Sequence, residues 1–322
     1  MQGAKTKKST LEITRAHLLS FLGIGLIVAV VLLALFFPSK LAEYVNEGLE
    51  LAVERVLPTA FPFMILSSLV EAYSRPALKG HLANFIGRLF GMPRSAAGAL
   101  VIGNVSGFPI GAKLAVDLYR EGVISKALSE RLIAYSNTPS PAFIVGSVGV
   151  LMLGSGELGI LLVVSVMLGN ILSAQFFRAK EDKCREIDVI SGQSFDFVEC
   201  VKSAGTASVT LISFIVIFSV AAGFVKEYIT LFPLREIIII FLEVTSAASY
   251  IASSLNAYPL VSVALLAFAL GFGGLSVMAQ TSAFTSDTDI SILPYFKIKL
   301  TSGILSSLVS VILYLLFFKA IY

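Results

Sequence analysis

A lysine follows closely on a proline and several glycines in the segment GNVSGFPIGAK, residues 103–113, inside a long apolar region. Gly107 and Pro109 interrupt helical hydrogen bonding, because proline has no N–H and glycine tolerates backbone conformations closed to other residues. A short helix can begin at Ile110, and the free N–H groups of its first turn attract anions. Lys113 falls in that first turn, where the helix dipole disfavours a cation. The pattern predicts an anion beside Lys113, from a substrate or from the protein.

A structural explanation of Lys113 stays open. The lysine can pair with Asp117 one turn later, or its side chain can extend to the membrane interface. Lysine before aspartate is the less favourable order for such a pair, which favours the anion-binding role.

The segment AYSNTPSPAF, residues 134–143, forms a second break. Two prolines among serine, asparagine and threonine cannot make a regular transmembrane helix, so the freed carbonyls and polar side chains line something wet or occupied. A packed network of hydrogen bonds between helices is the alternative. The residues of these two breaks predicted to contact a substrate are Asn104, Ser106, Gly107, Pro109, Gly111, Lys113, Ser136, Asn137, Thr138 and Ser140.

The second half of the chain supplies a carboxylate. Glu243 follows the apolar run IIIIFL, and an ionisable residue inside a membrane is a functional hypothesis by default. It can carry a coupling proton, coordinate Na⁺ or neutralise Lys113; alternatively, it lies at an interface among lipid headgroups. The candidate substrate contacts in this half are Thr245, Ser246, Gly273, Gly274, Ser276 and Gln280.

The composition of the chain indicates that these elements lie in a membrane protein. The chain has 322 residues, of which 56% are hydrophobic and 14% charged, and its mean hydropathy is +0.88. Crossing a bilayer takes about 20 residues of helix. Uncharged stretches of this length lie at 18–37, 158–177, 203–225 and 300–318, and the longer uncharged run 244–286 must contain a reversal as well as a span.

Several classes of function are disfavoured. A net charge of +3 is too small to argue for nucleic acid, and the two cysteines, Cys184 and Cys200, offer no second pair for a metal site. The chain carries no nucleotide-binding, metal or serine-nucleophile motif, so we expect neither an enzyme nor a cofactor. Without a nucleotide-binding motif, any transport by this protein would be driven by the substrate's own gradient or by a gradient of an ion, either H⁺ or Na⁺.

Basic loops predict the orientation. With a cytoplasmic tail at 1–17 and a retained first span at 18–37, the basic segments 75–94, 120–126 and 178–185 all fall in the cytoplasm if 95–119 enters the membrane and returns to the same side. A re-entrant hairpin is therefore favoured over a plain crossing.

The two halves follow one plan. Repeats at 48–178 and 203–322, joined by a cytoplasmic linker at 179–202, each contain a re-entrant hairpin and a broken helix, and they would be inverted in the membrane. The sequence similarity between them is weak, and chance remains an alternative. The prediction is an all-α polytopic membrane protein with two inverted repeats, an arrangement typical of secondary transporters.

The segments SGFPIGAK and LYREGVISKALSERLIAYSNTPSPAFIVGSVGV resemble the core of the YlbJ-type sporulation integral membrane proteins, of the nucleoside-recognition or Gate family. The resemblance is strong over about residues 61–177 and diffuse beyond them. Ser140-Pro141 stands where the family pattern has glycine-proline, and the chain is short for the family, which puts accessory loops in doubt and not the core.

The resemblance implies a fold similar to concentrative nucleoside transporters, with a trimer suggested by analogy alone. It also implies transport of dipicolinic acid across the outer forespore membrane during sporulation; the bacterial inner membrane is the other location open. Dipicolinate is a flat aromatic dianion, which suits a helix N-terminus, Lys113, the Asn137 amide and the hydroxyls of Ser106 and Thr138, whereas a neutral nucleoside needs no lysine. A non-transporting membrane scaffold for the spore envelope and a nucleoside transporter are the alternative functions.

Overall fold

The computed structural model describes residues 35–73, 81–178, 196–255 and 257–317, together with Leu32. The predicted tail at 1–17, nearly all of the predicted first span at 18–37 and most of the linker predicted at 179–202 lie outside the described residues; the end of that linker is described and is helical from Phe197. Helices make up nearly all the described chain, which confirms the all-α class.

Thirteen α-helices occur in the described residues. They are α1 Pro38–Glu50, α2 Leu57–Tyr73, α3 His81–Leu89, α4 Ala97–Ser106, α5 Ile110–Arg120, α6 Lys126–Ser136, α7 Gly156–Phe176, α8 Phe197–Tyr228, α9 Leu234–Leu242, α10 Val244–Ser254, α11 Pro259–Phe272, α12 Gly274–Thr285 and α13 Ile292–Phe317. A π-helical segment, Leu51–Val56, joins α1 to α2, a 3-10 turn, Arg94–Ala96, precedes α4, and a π-helix, Phe143–Met152, lies between α6 and α7.

The chain divides into two compact units, Met1–Asn46 and Glu47–Tyr322. In the described part of the first unit, Lys40 pairs with Glu43 at 3.3 Å, and its ammonium lies 6.0 Å from the centre of the Tyr44 ring. All the candidate site residues belong to the second unit.

Four helical stretches among the described residues are long and apolar enough to cross a membrane: Gly156–Phe176, Phe197–Tyr228, Pro259–Thr285 and Ile292–Phe317. Large apolar side chains on their outer faces are exposed, such as Ile217 on α8 and Leu308 on α13. Such faces suit a surrounding of lipid, and the chain is a polytopic membrane protein.

The last span begins earlier than the sequence predicts. The uncharged stretch predicted for this span is 300–318, whereas the helix begins at Ile292 and includes Lys297 and Lys299. Lys297 is exposed, whereas Lys299 is completely buried. A lysine on an inward face therefore lies within the helix and not beyond its end.

Three of the long helices pack at short range through small residues. A Cβ atom on Gly271 of α11 would lie 2.7 Å from Ser306 Oγ and 3.0 Å from Gly303 Cα, both on α13. Gly169 of α7 approaches Ser306 still more closely. Small residues let helix backbones approach in this way inside membranes, so α7, α11 and α13 form a closely packed group.

Candidate functional site

The first predicted break is the turn of a helical hairpin. Helices α4 and α5 pack against each other, and Gly107, in the turn between them, has φ +82°, a conformation that favours glycine. No side chain among the described residues caps the start of α5, where Pro109 is the preceding residue. The helix runs Ile110–Arg120, so its predicted start at Ile110 is confirmed.

The turn of this hairpin lies against the second predicted break. A Cβ atom on Gly107 would lie 2.7 Å from the backbone nitrogen of Ser140, and one on Gly111 would lie 2.9 Å from that of Asn137. Only glycine leaves room for so close an approach of backbone to backbone. The glycines of the hairpin therefore let it pack directly on the interrupted chain between α6 and the π-helix.

Side-chain hydrogen bonds join the same two segments. Asn104 Nδ2 donates to the carbonyl of Tyr135 at 3.0 Å, and Thr138 Oγ1 donates to Asn104 Oδ1 at 3.0 Å. Ser136 Oγ donates to the carbonyl of Gly111 at 3.0 Å. Polar groups released by the break are thus largely satisfied by the hairpin, as burial of a break inside the protein requires.

Ser140 and Ser106 are two further candidate substrate-contacting residues in the first half of the chain. Ser140 Oγ accepts a hydrogen bond from the backbone N–H of Phe143 at 3.2 Å, at the start of the π-helix. Ser106 is the buried last residue of α4.

Glu243 separates α9 from α10 and caps the second of them. Its Oε1 accepts from the N–H of Thr245 at 2.8 Å, and its Oε2 accepts from the N–H of Ser246 at 2.5 Å. Side-chain oxygens at this position satisfy orphan N–H groups, and the helix dipole favours their negative charge. The carboxylate is only 2% exposed, so Glu243 lies inside the protein with both oxygens engaged.

Helices α9 and α10 pack against each other and form a second hairpin, and α11 with α12 forms a second broken helix that meets it. Gly273 and Gly274, with φ +88° and +81°, interrupt the chain between α11 and α12. A Cβ atom on Gly274 would lie 3.2 Å from the carbonyl oxygen of Leu242 and 3.3 Å from Glu243 Cα. In each half, a glycine thus lies where the hairpin turn meets the broken helix.

The halves exchange contacts across the interior. Helix α5 packs on α6 and α12, whereas α10 packs on α11 and the π-helix. Each hairpin therefore contacts the first part of the broken helix in its own half, α6 or α11, and the second part of the broken helix in the other half, α12 or the π-helix. At the centre, Asn137 Nδ2 donates to Thr281 Oγ1 at 2.9 Å and lies 3.4 Å from the hydroxyl of Tyr295.

The last helix of the first hairpin, α5, ends beside the end of the second broken helix, and the last helix of the second hairpin, α10, ends beside its beginning. Arg120, at the end of α5, donates to the carbonyl of Phe284 at 3.1 Å and to Asp287 at 2.5 Å, just where α12 finishes. That hydrogen bond from Arg120 holds the pKa of the Asp287 carboxyl below its ordinary value. Helix α10, in contrast, ends at Ser254, shortly before α11 begins at Pro259.

Every predicted site residue is buried except Lys113, which is half-buried. The backbone N–H of Lys113 donates to the carbonyl of Pro109 at 3.2 Å. Asp117, the alternative partner, accepts from Arg120 Nη1 at 3.1 Å. Whether Lys113 contacts a substrate stays a prediction.

Sequence reasoning missed part of the buried polar set. Several atoms in the interior have no hydrogen-bond partner among the described residues: Tyr135 OH, Asn137 Oδ1, Asn170 Oδ1, Ser276 Oγ, Gln280 Oε1, Lys299 Nζ, Ser302 Oγ and Ser306 Oγ. Of these residues, only Asn137, Ser276 and Gln280 were predicted. The overlooked signal was the spacing of Tyr295, Lys299, Ser302 and Ser306, which places four polar side chains on one helix face.

Helix breaks, hairpins and buried polar side chains inside a bundle with apolar outer faces define a polytopic membrane protein with a polar interior. The chain is 30% identical to the sporulation integral membrane protein YlbJ of Bacillus subtilis (strain 168), over 86% of this chain and 78% of that relative. It belongs to the YlbJ family of sporulation integral membrane proteins. No family model and no solved structure matches the chain.

Proposed function

We propose that this protein is a secondary transporter of a small organic anion, dipicolinate, across the outer forespore membrane during sporulation. The observation that carries the proposal is the meeting of two hairpin turns with two broken helices in a buried polar interior. Broken helices around a central site, in inverted repeats, are the design of many secondary transporters. The ends of α5 and α10, beside opposite ends of the second broken helix, support the inverted arrangement, which stays a prediction.

The anion is proposed from the donors at the first hairpin. Helix α5 begins without a side-chain cap, and Lys113 lies in its first turn. Thr138 and Asn137, in the adjacent break, add a hydroxyl and an amide, which would exchange their hydrogen bonds to Asn104 and Thr281 for bonds to the substrate. Two carboxylates on a flat ring would use the helix N-terminus, the ammonium and these polar groups together, whereas a nucleoside has no charge to place beside a lysine.

Coupling to an ion is proposed through Glu243. A half-open cavity of about 190 Å³ is lined by Glu47, Glu50, Leu51, Arg55, Ser219, Lys226, Ser246 and Ser249. Ser246 also donates its N–H to Glu243, so this cavity reaches the first turn of α10. Solvent in the cavity would supply H⁺ or Na⁺ to the neighbourhood of the carboxylate.

The test is uptake of labelled dipicolinate into proteoliposomes containing the purified protein. We expect saturable uptake that excess unlabelled dipicolinate abolishes and uridine leaves unchanged. Lys113→Ala should lose most of this uptake while remaining inserted, and Lys297→Ala, at an exposed position on α13, is the matched control. Liposomes that accumulate no dipicolinate would refute the transport proposal and favour the scaffold; uptake blocked by uridine would favour a nucleoside substrate.

A further inference from the structure

One face of α13 carries polar side chains into the interior. Tyr295, Lys299, Ser302 and Ser306 recur at spacings of three or four residues, and all four are at most 2% exposed. Residues so spaced share one side of a helix. At one end of this stripe Tyr295 lies beside Asn137, and at the other Ser306 packs between α7 and α11.

Lys299 stands between these two ends. It is one turn from Tyr295 and two turns from Ser306, and its exposed fraction is 0%. Its Nζ has no hydrogen-bond partner among the described residues. The neighbouring Ser302 is likewise unsatisfied, as is Oδ1 of Asn170, whose residue adjoins the α7 glycine that packs on Ser306.

A buried lysine whose Nζ has no hydrogen-bond partner can still bind an anion. Burying an ammonium without a partner is strongly unfavourable, because water no longer solvates the charge. Ionisable residues within membrane spans are accordingly rare and mark paths of ions or substrates. Lys113 differs in being half-buried, so Lys299 is the more deeply placed of the two lysines.

We propose that Lys299 binds a carboxylate of the transported anion, with Ser302 and the Asn137 break as its polar neighbours. This inference rests on the proposed function and identifies a cation for its substrate. A dicarboxylate offers one carboxylate to Lys299 and keeps a second for the donors of the first hairpin. Rocking of one repeat against the other, the usual form of alternating access, would open a route to this buried group.

The experiment measures binding and uptake in the full-length protein. Lys299→Met removes the charge but retains a long unbranched side chain, and Lys297→Met makes the same change two residues away at an exposed position. Pyridine-2,6-dicarboxylate is compared with its neutral diamide as a competitor. Hydrogen bonds to charged groups contribute about 1.5–3 kcal/mol, so Lys299→Met should weaken dicarboxylate binding roughly 10- to 100-fold.

The expected result is that wild type and Lys297→Met prefer the dicarboxylate strongly over the diamide, and that Lys299→Met loses this preference. A Lys299→Met protein that transports with unchanged affinity and charge preference overturns the role of Lys299, while wild-type uptake still upholds the transport function. If Lys299→Met does not fold, the wild-type comparison decides, because equal binding of diamide and dicarboxylate overturns the proposal. Absence of binding and uptake in wild type overturns the proposed function itself.

Discussion

Gly111→Ala tests how closely the first hairpin must approach the first break. The added Cβ would lie 2.9 Å from the backbone nitrogen of Asn137 and closer still to the carbonyl of Ser136. The Ser136 hydroxyl also lies within hydrogen-bond distance of the carbonyl oxygens of Gly111, at 3.0 Å, and Leu132, at 2.6 Å. The clash is with backbone and not with the end of a flexible side chain, so α5 must move away from α6.

Overpacking a well-packed core costs about 1–3 kcal/mol, and we expect the upper part of this range because backbone must yield. With a change on the order of 2 °C in Tm for each kcal/mol, the variant should unfold roughly 4–6 °C below wild type. Displacement of the hairpin should also lower dipicolinate uptake.

The assay follows unfolding through a buried thiol, since the chain has no tryptophan. Cys200 on α8 is 5% exposed, so a thiol-reactive dye reports its exposure on heating, in a Cys184→Ser background. Gly205→Ala on α8 is the matched control, because nothing lies within 4 Å of its added Cβ and alanine favours the helix by up to about 1 kcal/mol. Equal Tm and uptake for Gly111→Ala and Gly205→Ala would refute the close packing of hairpin and break.

The remaining predictions concern the helix cap and the central amide. Glu243→Ala should lower the free energy of unfolding by about 0.5–2 kcal/mol, because it removes both acceptors at the start of α10; denaturation in detergent measures this, and unchanged stability would contradict the capping role. If Glu243 carries the coupling proton, Glu243→Gln should abolish the pH dependence of uptake but retain dipicolinate exchange, and a pH profile identical to wild type would remove Glu243 from coupling. Asn137→Ala should weaken dipicolinate affinity only several-fold, as expected for loss of about 1 kcal/mol of hydrogen bonding; isothermal titration measures the change, and a loss as large as that of Lys113→Ala would contradict this ranking.

The helix breaks were predictable from sequence because their cause is local. Proline lacks an N–H and glycine adopts positive φ, so Gly107, Pro109 and the Gly273-Gly274 pair marked the interruptions before any tertiary contact was known. The start of α5 at Ile110 followed directly. The predicted spans at 158–177 and 203–225 agree with helices of sufficient length, and the uncharged run 244–286 contains a third such stretch, Pro259–Thr285.

The inward face of α13 was not predictable in the same way. Lys297 and Lys299 look equivalent in the sequence, two residues apart at the edge of an apolar run, yet one is exposed and the other is completely buried. The difference depends on which side of the helix faces α7 and α11, and that is fixed by residues far away in the chain. The use of Glu243 as a cap was hidden for a similar reason, because the exact end of α9 decides it.

The contact between Asn137 and Thr281 has a consequence for biosynthesis. The two residues are 144 positions apart, and the Tyr295 hydroxyl beside them is 158 positions from Asn137. When the ribosome has made only the first half, the Asn137 amide has no access to these partners, and a polar side chain without a hydrogen bond is costly in lipid. The early segments must therefore wait at the insertion machinery, or remain near its aqueous channel, until the last helices arrive. Chains truncated before α12 should accordingly be retained by the insertion machinery or degraded, however hydrophobic their remaining helices are.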